Sequence, residues 1–216
     1  MKKKIILMSV AAILALTAVI GGTMAAFNGS SEDGKAMVTT KQLNASFTQT
    51  INEEITPLGE NGKAKIREVA NVPGQVVEMP VGIVNDVNDG YDLYAKVTIN
   101  KAWYNGEEKE YNLDPSKIIV NTVDPSNWII QMNNDQEQMV FIYKLPIKAN
   151  EITASNFMDS ISISSDIGNS YANHEIVLDM TIDAVQTANA KEGAVLSAWG
   201  IELEFGDNGE IVKILE

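Results

Sequence analysis

The chain has 216 residues, with 16 basic and 29 acidic side chains, a formal net charge of −13, a single histidine and no cysteine. So acidic a chain repels phosphate backbones and anionic headgroups, so no nucleic-acid partner is expected. Without cysteine there is no disulfide framework and no thiol catalysis, and stability must come from a packed core.

At the N-terminus, Lys2, Lys3 and Lys4 precede residues 5–20, which are uncharged and rich in Ile, Leu, Val and Ala. That is the pattern of a secretory signal peptide. Gly21, Gly22 and Thr23 then weaken the helix, and Ala25 and Ala26 are the small residues a signal peptidase requires. The competing reading is a retained anchor, because residues 5–27 are uncharged and could span ~30 Å of hydrocarbon. The small, Gly-broken end favours cleavage between Ala26 and Phe27, so membrane contact is expected only through the signal peptide before it is removed. Cleavage takes away three lysines and no acid, which leaves 13 basic against 29 acidic residues and a net charge of −16. A mature chain of this length fits one domain that buries roughly 70% of its unfolded surface.

Residues 28–35, N-G-S-S-E-D-G-K, offer nothing apolar to pack, so 27–40 reads as a flexible arm ahead of a domain spanning 41–216. From 37 to 51 the apolar residues Met37, Leu43, Ala45, Phe47 and Ile51 fall on odd positions, the period of a half-buried strand. Thr56-Pro57 could open a helix, but Gly59 and Gly62 follow at once and the stretch is expected to be a loop. Pro73-Gly74 marks a turn, after which Val77, Met79, Val81 and Ile83 alternate again. Residues 85–92, N-D-V-N-D-G-Y-D, form a polar reversal, with Gly90 available for positive φ. Leu93, Ala95, Val97, Ile99 and Trp103 then make the clearest strand of the chain.

Trp128, Ile130 and Met132 lead into a turn at 133–135, and Met139, Phe141, Tyr143 and Leu145 return, as in a hairpin. One helical turn over 153–158, a short strand at Ile161 and Ile163, and a longer strand through Ile176, Leu178, Met180, Ile182 and Ala184 follow. Residues 188–199 are Ala-rich and read as either a short helix or an extended arm. Ile201, Leu203 and Phe205, the turn 206–209 and the run 211–215 close the chain as a hairpin. Eight or nine short strands joined by Asn, Asp and Gly turns predict a mostly β, antiparallel sandwich or jelly roll with short helical segments. No fixed-period repeat points to a solenoid.

Chemistry is sparse. His174-Glu175 resembles the start of H-E-x-x-H, but position 178 is leucine and the surrounding alternation is that of a strand, so His174 is expected at the surface where that strand begins. No G-x-S-x-G elbow or phosphate-binding glycine loop is present. Residues 85–92 carry clustered oxygens, yet aligning Gly90 with the glycine of an EF-hand puts Val87 at a ligand position. A plain turn is the stronger reading there, and a solvated loop is the stronger reading of Glu107, Glu108 and Glu110. Trp103, Trp128 and Trp199, with Phe47 and Phe141, are expected in the core. No catalytic residue, metal site or cofactor is expected.

Several segments resemble the TasA/camelysin family of Gram-positive secreted proteins. G-G-T-M-A-A-F-N at 21–28 resembles the junction cut by that family's dedicated signal peptidase, which places the cut before Phe27. P-G-Q at 73–75, V-N-D at 84–86 and L-Y-A-K-V-T-I at 93–99 are similar to its turn and paired strands. I-D-A-V-Q-T-A-N at 182–189, with Trp199-Gly200 beyond, is similar to a further family pattern, although Ile182 stands where that pattern has alanine. The resemblance implies a jelly-roll subunit of a biofilm-matrix fibre that passes its N-terminal segment as a strand into the next identical subunit. Phe27, Met37 and Val38, the large apolar residues of the arm, would then be the donor-strand contacts.

Two other readings fit the same chain: a cell-surface adhesin or binding module that does not polymerise, and a metalloprotease, as some camelysin-like relatives have been described. A single histidine does not carry the latter over. N-terminal sequencing of exported material is expected to read from Phe27, although Thr23-Met24-Ala25 offers a second small-x-small site one residue earlier, and a start at Met1 would mean a retained anchor.

Overall fold

The computed structural model describes residues 44–69, 72–88 and 90–215, all within the compact unit Thr40–Glu216. Ala26, Phe27, Met37 and Val38 lie outside the described residues. Among the described residues, thirteen strands alternate with short 3₁₀ turns and one brief helical stretch. In chain order they are β1 (Ala45–Ile51), β2 (Glu54–Leu58), β3 (Lys63–Val69), β4 (Val76–Asn85), β5 (Leu93–Asn105), β6 (Glu108–Lys109), β7 (Ile118–Asn121), β8 (Trp128–Met132), β9 (Gln138–Tyr143), β10 (Met158–Ile163), β11 (Glu175–Gln186), β12 (Glu202–Phe205) and β13 (Ile211–Leu215).

Two antiparallel sheets carry the fold. The first has the order β2-β1-β4-β10-β7, the second β3-β11-β5-β9-β8, with β6 beside β5. The chain crosses from one sheet to the other between β2 and β3, β3 and β4, β4 and β5, β6 and β7, β7 and β8, β9 and β10, and β10 and β11, the alternation of a two-sheet β-sandwich. A period of two explains the core: on β5, Leu93, Ala95, Val97, Ile99 and Trp103 are fully buried. β11 supplies Ile176, Leu178 and Met180, β9 supplies Met139, Phe141 and Tyr143, and the facing sheet supplies Phe47, Val81, Ile83 and Ile161. Phe157, just ahead of β10, joins the layers, with its ring centroid 5.8 Å from Phe47, 5.6 Å from Phe141 and 5.8 Å from Trp128.

A second apolar cluster forms on the outer face of the β5–β9–β11 sheet. Tyr94, Ile142 and Val185 are covered there by Trp199, Leu203 and Ile211. The cover consists of a 3₁₀ turn at Thr187–Asn189, a π-helical turn at Ala190–Ala194, helix α1 (Val195–Trp199) and the β12–β13 hairpin. Gly200, with φ +70°, ends α1 in the left-handed region and returns its N–H to Leu196 O. The Ala-rich segment is therefore a helical cover, one of the two forms its sequence allows.

The strand expected over 37–51 is present as β1 from Ala45, residues 37–43 lying outside the described residues, and Ile51 is 49% exposed at a hairpin tip. Three expectations are corrected. The expected loop at 56–62 contains β2: its partner β1 lies on one side only, so Pro57 is tolerated at a sheet edge, and the glycines belong to the turn that follows. At Gly59, φ is +74° and a β-carbon would lie 2.1 Å from Lys63 O, so this turn admits only glycine. Residues 153–158 make no helical turn. They run beside β4, where Thr153 N–H donates to Ile83 O and Phe157 N–H to Val81 O, and Leu145 likewise lies past the end of β9. Replacing Phe157 by alanine is expected to destabilise the fold by about 3–5 kcal/mol in urea denaturation, because it opens a cavity among three aromatic rings.

Candidate functional site

The sequence-expected features that fall within the described residues can be placed. His174 stands one residue before β11, with Nε2 3.8 Å from Glu110 Oε1 and Nδ1 3.1 Å from Ala172 O. It is partly covered rather than fully exposed, with 19% of its side chain accessible. Leu178 is buried in the core on an extended strand, and residues four apart on a strand are separated by about 13 Å, so the H-E-x-x-L run does not form one face of a helix.

Residues 105–108 are a tight hairpin: Asn105 pairs with Glu108, and Gly106 has φ +60°. There Arg67 donates to Glu175 Oε2 at 2.5 Å and to Gly106 O at 2.7 Å, with Glu107 Oε2 3.4 Å away. These carboxylates are engaged in ion pairs. In the 85–92 reversal, Asn85 is fully buried and donates to Tyr91 O at 2.9 Å and Ile147 O at 3.0 Å, so it fastens the turn to the core. Among the described residues no group of three or more His, Cys, Asp or Glu side chains is placed to hold a metal ion.

Lys101 was not singled out by sequence reasoning, although it could have been. It is the one charged residue in the inward row of β5, between Ile99 and Trp103, and it is 2% exposed. Its Nζ donates to Ile118 O at 2.5 Å, which ties β5 of one sheet to β7 of the other. Burial lowers its pKa from the ordinary 10.5 to about 8, partly opposed by the Asp114 carboxylate.

Asp114 itself belongs to a repeated device. In D-P-S-K (114–117) and D-P-S-N (124–127) the aspartate accepts the serine N–H at 2.8 and 3.1 Å and caps a 3₁₀ turn. The serine hydroxyl and N–H hold both carboxyls below the usual range. These two turns launch β7 and β8, an edge strand of each main sheet.

The remaining distinctive surface is apolar. Ile119, Val123, Ile130 and Met132 are exposed on or beside these edge strands. Ile130 pairs with Phe141 and Met132 with Met139, so both occupy core-side positions, yet they are 40% and 46% exposed while Phe141 and Met139 are 0% and 5%. The core face thus runs out beyond its cover at β8. No family model, curated protein or solved structure matches the chain.

The Lys101 site carries a pH signature. Between pH 8 and 10.5 the unfolded lysine holds its proton while the folded one has released it, so the unfolded state binds more protons and stability rises with pH across this window. Below pH 8 both states are protonated and the burial penalty is fully present. Urea midpoints are expected to rise from pH 8 to 10 in the parent protein by more than in Lys101→Met, in which this contribution is gone.

Proposed function

We propose that the mature chain is a secreted structural subunit of an extracellular biofilm-matrix fibre, and that its arm at 27–40 adds as a strand to the next identical subunit. The observation that supports this reading is the edge of the sandwich at β8, where core-side residues stand exposed on a strand that, among the described strands, is paired on one side only. An extended segment added at a sheet edge gains main-chain hydrogen bonds, while alternate side chains fill the adjacent apolar positions. A monomeric protein guards such an edge because it templates association.

The family resemblance at 21–28 supports the same reading and brings in a dedicated signal peptidase as the processing partner. The charge of the mature chain makes assembly conditional. At a net −16, subunits repel at neutral pH, and protonation of carboxylates or screening by divalent cations relieves that repulsion.

Filaments of the chain beginning at Phe27 should be visible by electron microscopy, and more abundant as pH falls toward the carboxylate range near ~4. A chain lacking 27–40 should sediment as a folded monomer at every pH, and Val38→Asp should block elongation while leaving the urea midpoint unchanged. Filaments of the same morphology from the shortened chain would rule out strand donation by the arm. A monomer that captures a ligand would favour the adhesin reading.

A further inference from the structure

The two main sheets end in four edge strands, and the main-chain partners at each edge decide which can accept another strand. β2 carries Pro57, its fourth residue of five, which has no N–H to offer. On β3 the bond from Ile182 N–H to Gly62 O assigns the even residues to β11; Lys63 N–H and O are taken by Glu60, so Lys65 and Arg67 present the free edge, guarded by their long cationic side chains. On β7 the bond from Ser164 N–H to Lys117 O leaves Ile118 and Val120 facing outward. Ile118 is already engaged, its N–H by Pro115 O and its carbonyl by Lys101.

β8 shares only one of these guards, at its first residue. Its sequence, W-I-I-Q-M, holds no charge and no proline. Bonds from Asn133 N–H to Gln138 O and from Lys144 N–H to Asn127 O bracket the strand and assign its odd residues to β9. The main-chain groups of Trp128, Ile130 and Met132 therefore point away from the sheet. Trp128 N–H is taken by Pro125 O, and no other described strand pairs with those of Ile130 and Met132. The same residues are the half-covered ones on the core side, so the free backbone and the exposed apolar surface coincide.

We propose that β8 is the acceptor edge and that residues 35–43 of a second copy add to it as a sixth strand of the β3–β11–β5–β9–β8 row. This rests on the fibre reading above. The segment, K-A-M-V-T-T-K-Q-L, carries two lysines and no acid, whereas residues 44–216 hold 11 basic and 27 acidic side chains, a net of −16. Attraction between the two therefore favours this segment over a second copy of β8. Nine extended residues span about 30 Å, against about 17 Å for β8, so the segment covers the whole edge. Met37 and Val38 are adjacent and point to opposite faces, so in either register one of them lies on the core side beside Ile130 or Met132.

The described residues contain no cysteine and neither does the rest of the chain, so an introduced pair reports without ambiguity. Mature subunits bearing Ile130→Cys are mixed with subunits bearing Met37→Cys or Val38→Cys, allowed to assemble, and oxidised mildly. A disulfide-linked pair of unlike subunits is expected with at least one of the two arm variants, found in the filament fraction and not before assembly. Ile130→Pro removes an outward N–H without breaking the β8–β9 ladder, and Ile130→Lys guards the edge without touching the backbone. Each should slow elongation roughly tenfold or more, with a urea midpoint close to that of the parent. Filaments that grow at the parent rate in both Ile130 variants and give no cross-link would overturn β8 as acceptor while leaving the fibre reading in place. Absence of filaments from the unaltered mature chain would overturn both.

Discussion

The inward row of β5 is the constraint on which the rest of the molecule depends. Leu93, Ala95, Val97, Ile99 and Trp103 occupy alternate positions of one long strand, which pairs with β11 over its whole length and with β9 over its middle. Because there is no cysteine, nothing covalent holds the two sheets together, and the buried faces must do so. Phe157 and Trp128 complete this layer: the Trp128 indole N–H donates to Ser155 Oγ at 3.0 Å, so its polar atom is satisfied at the margin of the core.

Lys101 interrupts that row and shows what the packing demands. A leucine there would continue the apolar face, whereas the ammonium must find an acceptor inside the sandwich and takes the carbonyl of Ile118. The cost of desolvating the charge is offset in part by this bond and by the field of Asp114. The same bond occupies an outward carbonyl of β7 and so blunts one sheet edge. The lysine thus bears on both the stability of the core and the choice of which edge stays open.

The opposite side of the second sheet is closed differently. Tyr94, Ile142 and Val185 alternate out of phase with the main core and would expose an apolar outer face. The C-terminal cover buries them, and the Tyr94 hydroxyl donates to Gly209 O across it. Lys96 pairs with Asp183 at 3.1 Å and lies over the Trp199 ring, where the cover meets the charged part of the sheet. With that face occupied, the uncovered apolar surface of the second sheet is confined to its β8 edge.

The sequence alone determined the fold class and nine of the strands, because a period of two survives wherever a strand has one buried face. The two longest strands, the β8–β9 hairpin and the terminal hairpin were all legible for that reason, as were the three buried tryptophans. β2, β3, β6 and β7 were not. β2 contains proline, β3 has only Ala64 and Ile66 as apolar residues between its cationic ones before Glu68 breaks the pattern, β6 has two residues and β7 four, so none presents an apolar period long enough to read. Tertiary structure decided the rest. Whether a strand lies at an edge, whether its outward N–H and C=O groups are engaged, and whether a core-side residue such as Ile130 is covered depend on segments far away in the chain. No local pattern encodes those contacts, so the same W-I-I-Q-M that reads as an ordinary buried strand becomes, once folded, a sheet edge where the outward main-chain groups of Ile130 and Met132 have no partner among the described strands.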